Sequence, residues 1–187
     1  MMKASDLRKG KLIAYEGELY TVHESRHVAK GNKGSYMQTK LRGVKSGTMI
    51  DMRFNVNDRI ETPFLDTRPY EYLYRDGTDF VLMDQETYDQ IHVSEDVMGD
   101  AHLYLKGNEV VMCGAVEGEI VTAELPNVVE LEVTDTSPIV KGATATSQNK
   151  DAILETGLRV KVPPFIGNGE VVRIDTRSGE YIERAKG

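Results

Sequence analysis

Apolar residues come in short runs interleaved with polar ones, and glycine-bearing turns cut the runs apart. Lys11-Leu12-Ile13-Ala14-Tyr15 ends at Glu16-Gly17, and Gly43-Val44-Lys45-Ser46-Gly47 leads into Thr48-Met49-Ile50-Asp51-Met52-Arg53-Phe54. Residues 70–74 are followed by Asp76-Gly77 and Phe80-Val81-Leu82-Met83. Residues 109–113 turn at Glu117-Gly118 into 119–125, and 158–163 and 170–175 repeat the style. Short β-branched and aromatic runs between turn signals predict antiparallel strands in barrels or sandwiches, not a parallel sheet. Only residues 85–90 and 95–99 hint at single helical turns. The expected class is all-β.

Breaks near 63–69 and 126–132 divide the chain into three strand-rich lengths: 1–65, 66–128 and 129–187. Small barrels of about sixty residues suit such lengths, because closure removes exposed edges. Val128-Val129-Glu130-Leu131-Glu132-Val133 reads as a strand running through the second boundary. A strand shared there would make the later modules a fairly rigid rod.

The longest hairpin signal lies near the start. Glu18 to Val28 and Ser35 to Arg42 flank Lys30-Gly31-Asn32-Lys33-Gly34. A glycine-rich stretch between two such runs predicts a hairpin tip. Seven or so residues projecting past a barrel would carry the tip roughly 23 Å outward. The expectation is a long arm presenting Lys33, with a solvated turn as the plain alternative.

Charge changes that picture. Residues 1–65 hold 12 Lys+Arg against 7 Asp+Glu, residues 66–128 hold 3 against 14, and residues 129–187 hold 8 against 9. The nets are +5, −11 and −1, giving the total of −7. A basic first third can seek phosphate while an acidic middle third cannot coat it, so an oriented RNA partner is implied.

Other chemistry is thin. Cys113 is the only cysteine, so no intrachain disulfide or multi-cysteine metal site can form. His23, His27, His92 and His102 show no ligand spacing with carboxylates on one helix. No metal or cofactor is expected. No nucleophile–base pair or phosphate-cradling loop stands out, which argues against an enzyme. The start lacks a signal-peptide core, no run is long enough to span a membrane, and a cytoplasmic monomer is expected.

The C-terminal third then carries a specific pattern. Glu130-Leu131-Glu132-Val133, Thr136, Pro138 and Lys141-Gly142 are followed by Lys150, Ala152, Leu154-Glu155-Thr156-Gly157 and Val160-Lys161-Val162-Pro163. Asp175-Thr176-Arg177-Ser178-Gly179-Glu180-Tyr181 closes it. With Tyr74-Arg75-Asp76-Gly77, Glu86-Thr87-Tyr88, Lys33-Gly34 and Lys40-Leu41-Arg42, the chain resembles bacterial translation elongation factor P from end to end. That family is the counterpart of eukaryotic and archaeal translation initiation factor 5A.

The resemblance implies an SH3-like (KOW-type) barrel followed by two OB-folds in an L-shaped, tRNA-like outline. It implies binding to the ribosome between the P and E sites, beside peptidyl-tRNA, and relief of stalling at consecutive prolines. Lys33 aligns with the family's tip lysine, which reaches toward the CCA end and is often extended by post-translational modification, which implies a lysine-modifying enzyme as a possible partner. Arg26, Lys30, Lys40 and Arg42 would line the tRNA acceptor region through salt-dependent backbone contacts. Tyr181 and Arg184 are similar to family residues that face tRNA.

Two departures matter. The tip here lacks the proline of the usual Lys-Pro-Gly-Lys-Gly, which removes a fixed φ and bears on which enzyme, if any, modifies Lys33. A loop that commonly reads Gly-Asp-Thr and approaches E-site mRNA is Gly142-Ala143-Thr144, leaving Thr144 and backbone groups for any base contact. Two alternatives remain: the elongation factor P-like paralogue, and a general single-stranded RNA-binding OB module. The closing motif and lysine tip favour the main family. The second lacks its usual aromatic platforms, with no Trp and only four Phe.

Overall fold

Antiparallel pairing accounts for nearly every strand in the computed structural model, which describes residues 1–139 and 148–186. The chain forms two compact units: Met1–Asp66 with Val116–Val121, and Thr67–Ala115 with Thr122–Gly187. The sheets are curled and the class is all-β, as expected.

The first unit carries β1 (Met2–Lys3), β2 (Leu12–Tyr15), β3 (Glu18–Ala29), β4 (Ser35–Gly43), β5 (Met49–Asn55) and β6 (Arg59–Ile60). The sheet order is β2-β3-β4-β5, with β1 paired to β6. Period-2 alternation sets the core face of β4: Met37, Thr39 and Leu41 are buried, while Lys40 is exposed. Leu7, Ile13, Val22 and Phe54 fill the same core, and Tyr15 meets Phe54 edge-on at 5.8 Å. The buried Thr39 hydroxyl donates to the Met52 carbonyl at 2.9 Å, so its burial leaves no orphan donor.

The remaining strands are β7 (Asp66–Asp76), β8 (Asp79–Asp84), β9 (Gln90–Ser94), β10 (Val110–Val116), β11 (Glu119–Glu124), β12 (Val128–Thr136), β13 (Lys150–Leu154), β14 (Arg159–Val162), β15 (Val171–Asp175) and β16 (Glu180–Arg184). They form sheets ordered β11-β10-β7-β8-β9 and β14-β13-β12-β15-β16. The expected strand at 128–133 exists, with Val129, Leu131 and Val133 turned inward. Its partners are β13 and β15, so it belongs to one sheet rather than being shared between two.

What joins those two sheets is instead a short 3-10 turn, Ala101–Leu103, followed by Tyr104. Tyr104 is buried in the core formed with Leu131, Leu154, Ile166 and Ile174. The Thr156 hydroxyl donates to the Leu103 carbonyl at 2.6 Å, and the Thr176 hydroxyl to the Pro126 carbonyl. Lys106 and Glu155 form an ion pair at 3.3 Å. The Leu-Glu-Thr-Gly and Asp-Thr-Arg-Ser-Gly segments singled out in the sequence thus tie the two sheets together.

One expected helical turn is present: α1 (Glu95–Met98), closed by the Gly99 N–H donating to the Glu95 carbonyl at 2.7 Å. Gly99 has φ +62°, which glycine adopts without a Cβ clash. The other, at 85–90, is not helical. The Asp84 carboxylate accepts the N–H groups of Glu86 (2.7 Å) and Thr87 (3.2 Å), forming a side-chain-stabilised turn, and β9 already begins at Gln90.

Candidate RNA-contacting hairpin

Strands β3 and β4 pair from Tyr20↔Gly43 to Ala29↔Ser35, with a bulge at His23 where Val22↔Leu41 gives way to Glu24↔Lys40. The last pair leaves Lys30 to Gly34 as the loop, and Asn32 is its midpoint. Gly31 and Gly34 have φ of +46° and +83°, so both bends use backbone space that disfavours side chains. The Lys33 N–H donates to the Lys30 carbonyl at 2.9 Å and the Lys30 N–H to the Gly34 carbonyl at 3.2 Å. These bonds organise the tip that the missing proline would otherwise stiffen.

A third strand follows the arm for most of its length. β5 pairs with β4 as far as Tyr36↔Asn55, so only the pair Ala29↔Ser35 and the loop lie beyond a third strand. The seven or so residues expected to extend beyond the barrel are thus not an isolated two-stranded hairpin over most of their length. A three-stranded ribbon carries the tip almost to its end, and such a ribbon resists bending better than an isolated hairpin. The tip is nevertheless open: Lys30, Gly31, Asn32, Lys33 and Gly34 are all exposed. Among the described residues the Lys33 ammonium has no carboxylate or carbonyl partner.

Register places the other candidates. Arg26, Lys40 and Arg42 share the outward face of the ribbon with Tyr36 and Gln38. Arg26 lies 3.6 Å from Glu24. Lys40 stands between Glu24 on β3 and Asp51 on β5. Arg42 is half-buried and engaged near the base. Lys30 extends over the Tyr36 ring, its Nζ 5.6 Å from the centroid. Positive charge is thus offset by acids toward the base and less so near the tip.

Sequence reasoning missed Arg53. It occupies the same row as Arg26 and Gln38, its Nε donates to Gln38 Oε1 at 2.9 Å, and its guanidinium lies 5.1 Å from the Tyr36 centroid. Alternation along β5 marks Arg53 as outward-facing, but only the β4–β5 register brings it to Tyr36.

The two candidates in the last sheet both lie on β16, within the second unit. Tyr181 packs partly into the core there, and burial raises its hydroxyl pKa. Arg184 is committed locally: Nη2 is 2.9 Å from Glu170 Oε1, donates to the Phe165 carbonyl at 3.2 Å, and the guanidinium covers the Phe165 ring at 4.7 Å. Thr144 lies outside the described residues.

Among the described residues no group of His, Cys, Asp and Glu is arranged to hold a metal ion. Cys113 is buried, and desolvation pushes its thiol up to about 12, which makes it a poor nucleophile. Among the described residues no helix is long and apolar enough to cross a membrane.

Comparison with known proteins covers almost the whole chain. The elongation factor P KOW-like domain matches residues 3–60, its OB domain matches 65–123, and its C-terminal domain matches 129–184. The chain is 42% identical over 187 residues to elongation factor P of Chloroherpeton thalassium, covering 100% of both. It is 42% identical over 185 residues to that of Moorella thermoacetica, covering 99% of this chain and 100% of the relative. It is 44% identical over 182 residues to that of Acidobacterium capsulatum, covering 97% and 98%. A curled four-stranded unit, two further β-sheets and end-to-end identity above 40% lead to one conclusion: the chain belongs to the elongation factor P family, a family of translation elongation factors.

Proposed function

We propose that this ribosome-associated factor binds between the P and E sites and steadies peptidyl-tRNA with the Lys30–Gly34 loop, promoting peptide-bond formation at consecutive prolines. The observation that carries this reading is the exposed Lys33, without an acidic partner among the described residues, on a ribbon braced by a third strand. Its working domains are 1–65, 66–128 and 129–187.

Proline is a rigid and poorly placed reactant, so the reacting ends spend little time in attack geometry. Holding one end still turns a search into a positioned reaction, worth on the order of 7–11 kcal/mol in the best intramolecular cases. The factor then needs no acid or base of its own. An ammonium 4 Å from a phosphate gains about 4 kcal/mol of gross attraction at an effective dielectric near 20. Ordering its stem costs up to about 2 kcal/mol. One lysine therefore grips modestly, and an enzyme that lengthens Lys33 and adds donors would tighten the hold.

Arg26, Lys30, Lys40 and Arg42 supply backbone contacts on the ribbon. Tyr181 and Arg184 supply another set, provided Arg184 exchanges Glu170 for a phosphate. Thr144 is the residue assigned to E-site mRNA. The factor acts as a cytoplasmic monomer.

The test is reconstituted translation of a consecutive-proline reporter with wild-type and Lys33→Ala factor. Loss of rescue by a folded variant supports the assignment. Undiminished rescue removes it.

A further inference from the structure

We infer that Arg53, held by Tyr36 and Gln38 beside Lys30, forms a second RNA-phosphate site immediately below the loop. This deepens the RNA-binding reading and rests on it.

Two neighbours on β4 fix the Arg53 guanidinium. Tyr36, Gln38 and Arg53 lie on one outward face, Tyr36 opposite Asn55 and Gln38 opposite Arg53. Gln38 Oε1 accepts the Arg53 Nε proton at 2.9 Å while the Tyr36 ring supports the guanidinium at 5.1 Å. That uses one donor and one face. The two Nη amino groups have no partner among the described residues and remain as a planar fork, which matches two oxygens of one phosphate.

Lys30 approaches the same ring from the β3 side of the loop, its Nζ at 5.6 Å. Neither Lys30 nor Arg53 has a carboxylate partner among the described residues. Two uncompensated cations on one aromatic support favour a doubly contacted anion. Asp51 and Glu24 flank Lys40 one row toward the base, and the Asp58 carboxylate is taken up by Asn55, accepting its backbone N–H at 2.7 Å. None of these carboxylates pairs with Lys30 or Arg53.

The ring is also a poor base-stacking platform, since cations already cover it. A phosphodiester is the ligand of choice, and a base is not. The ordered guanidinium gives this site an advantage over Arg26, whose charge is offset at 3.6 Å by Glu24.

The experiment measures affinity of the full chain for ribosomes programmed with peptidyl-prolyl-tRNA, as a function of KCl, after thermal melts have matched each variant to wild type. Arg53→Gln is expected to weaken binding about tenfold and to flatten the log–log salt slope by roughly one phosphate contact. Arg53→Lys should restore the slope but not the affinity, because an ammonium cannot make the fork. Tyr36→Leu should weaken binding without changing the slope, and Tyr36→Phe should behave as wild type. If Arg53→Gln binds like wild type while Lys33→Ala does not, this site is refuted and the loop assignment stands. If Arg53→Gln weakens binding with an unaltered slope, the face meets protein rather than RNA, and the inference is again refuted. If Arg53→Gln, Lys30→Ala and Lys33→Ala all bind as wild type, the RNA-binding reading itself fails.

Discussion

The hydroxyl of Tyr104 stands where a side chain on Gly179 would begin: a Cβ added there would lie 2.9 Å from the oxygen. Gly179 also has φ +73° and donates its N–H to the Asp175 carbonyl at 2.8 Å. Two separate constraints therefore demand glycine. Gly179→Ala is expected to destabilise the second unit by about 1–3 kcal/mol, read from urea denaturation. Adding Tyr104→Phe should recover the contact part and leave the backbone part. Full recovery would show that the left-handed backbone costs nothing here.

Thr156 makes the neighbouring tie. Its hydroxyl donates to the Leu103 carbonyl at 2.6 Å. Thr156→Val keeps the shape and removes the donor, so a loss of about 1 kcal/mol is expected. The exposed Lys106–Glu155 pair should contribute less, within about 1 kcal/mol in a double-mutant cycle. The reverse order would mean that charge rather than the hydroxyl joins the two sheets.

Acid should act through Asp84 and Asp175. The Glu86 N–H holds the Asp84 carboxyl below its usual range, helped by Thr87 and Arg68 against opposing desolvation. The Arg177 side chain, then its N–H, does the same for Asp175. Unfolding returns each group to an ordinary value near about 3.9, so in acid the unfolded chain binds more protons. Their stabilisation is complete above that value and is lost as pH falls through the depressed folded values. Thermal melts from neutral pH downward should show this loss, and Asp84→Asn should flatten it. An acid slope unchanged by Asp84→Asn would exclude the turn as its source.

Local patterns were readable where one residue type decides the geometry. Gly31 and Gly34 announced the loop, and the run from Val128 to Val133 announced β12. Pairing between distant segments was not readable. Nothing around Asn55 says that it sits opposite Tyr36, so the third strand that braces the arm was not foreseen. Nothing in Ala101–Leu103 and Tyr104 says that Tyr104 completes the core around Leu131. The turn after Asp84 misled because Gln85 and Glu86 suit a helix, while the Asp84 carboxylate captured the N–H groups first. Arg53 escaped notice for the first of these reasons.

The midpoint of the loop is Asn32, with Lys33 one step toward β4. If charge near the apex does the gripping, Asn32→Lys should raise ribosome affinity and its salt sensitivity, whereas Asn32→Ala should change rescue by no more than about threefold. A collapse of rescue in Asn32→Ala would shift the central contact from the ammonium to the amide.

The most direct measurement is the yield of full-length peptide from a consecutive-proline message, translated with factor in which only Lys33 is changed to Ala. The expected result is a yield equal to that without factor, from a protein whose melting is unchanged. A wild-type yield would contradict the positioning role assigned to this loop.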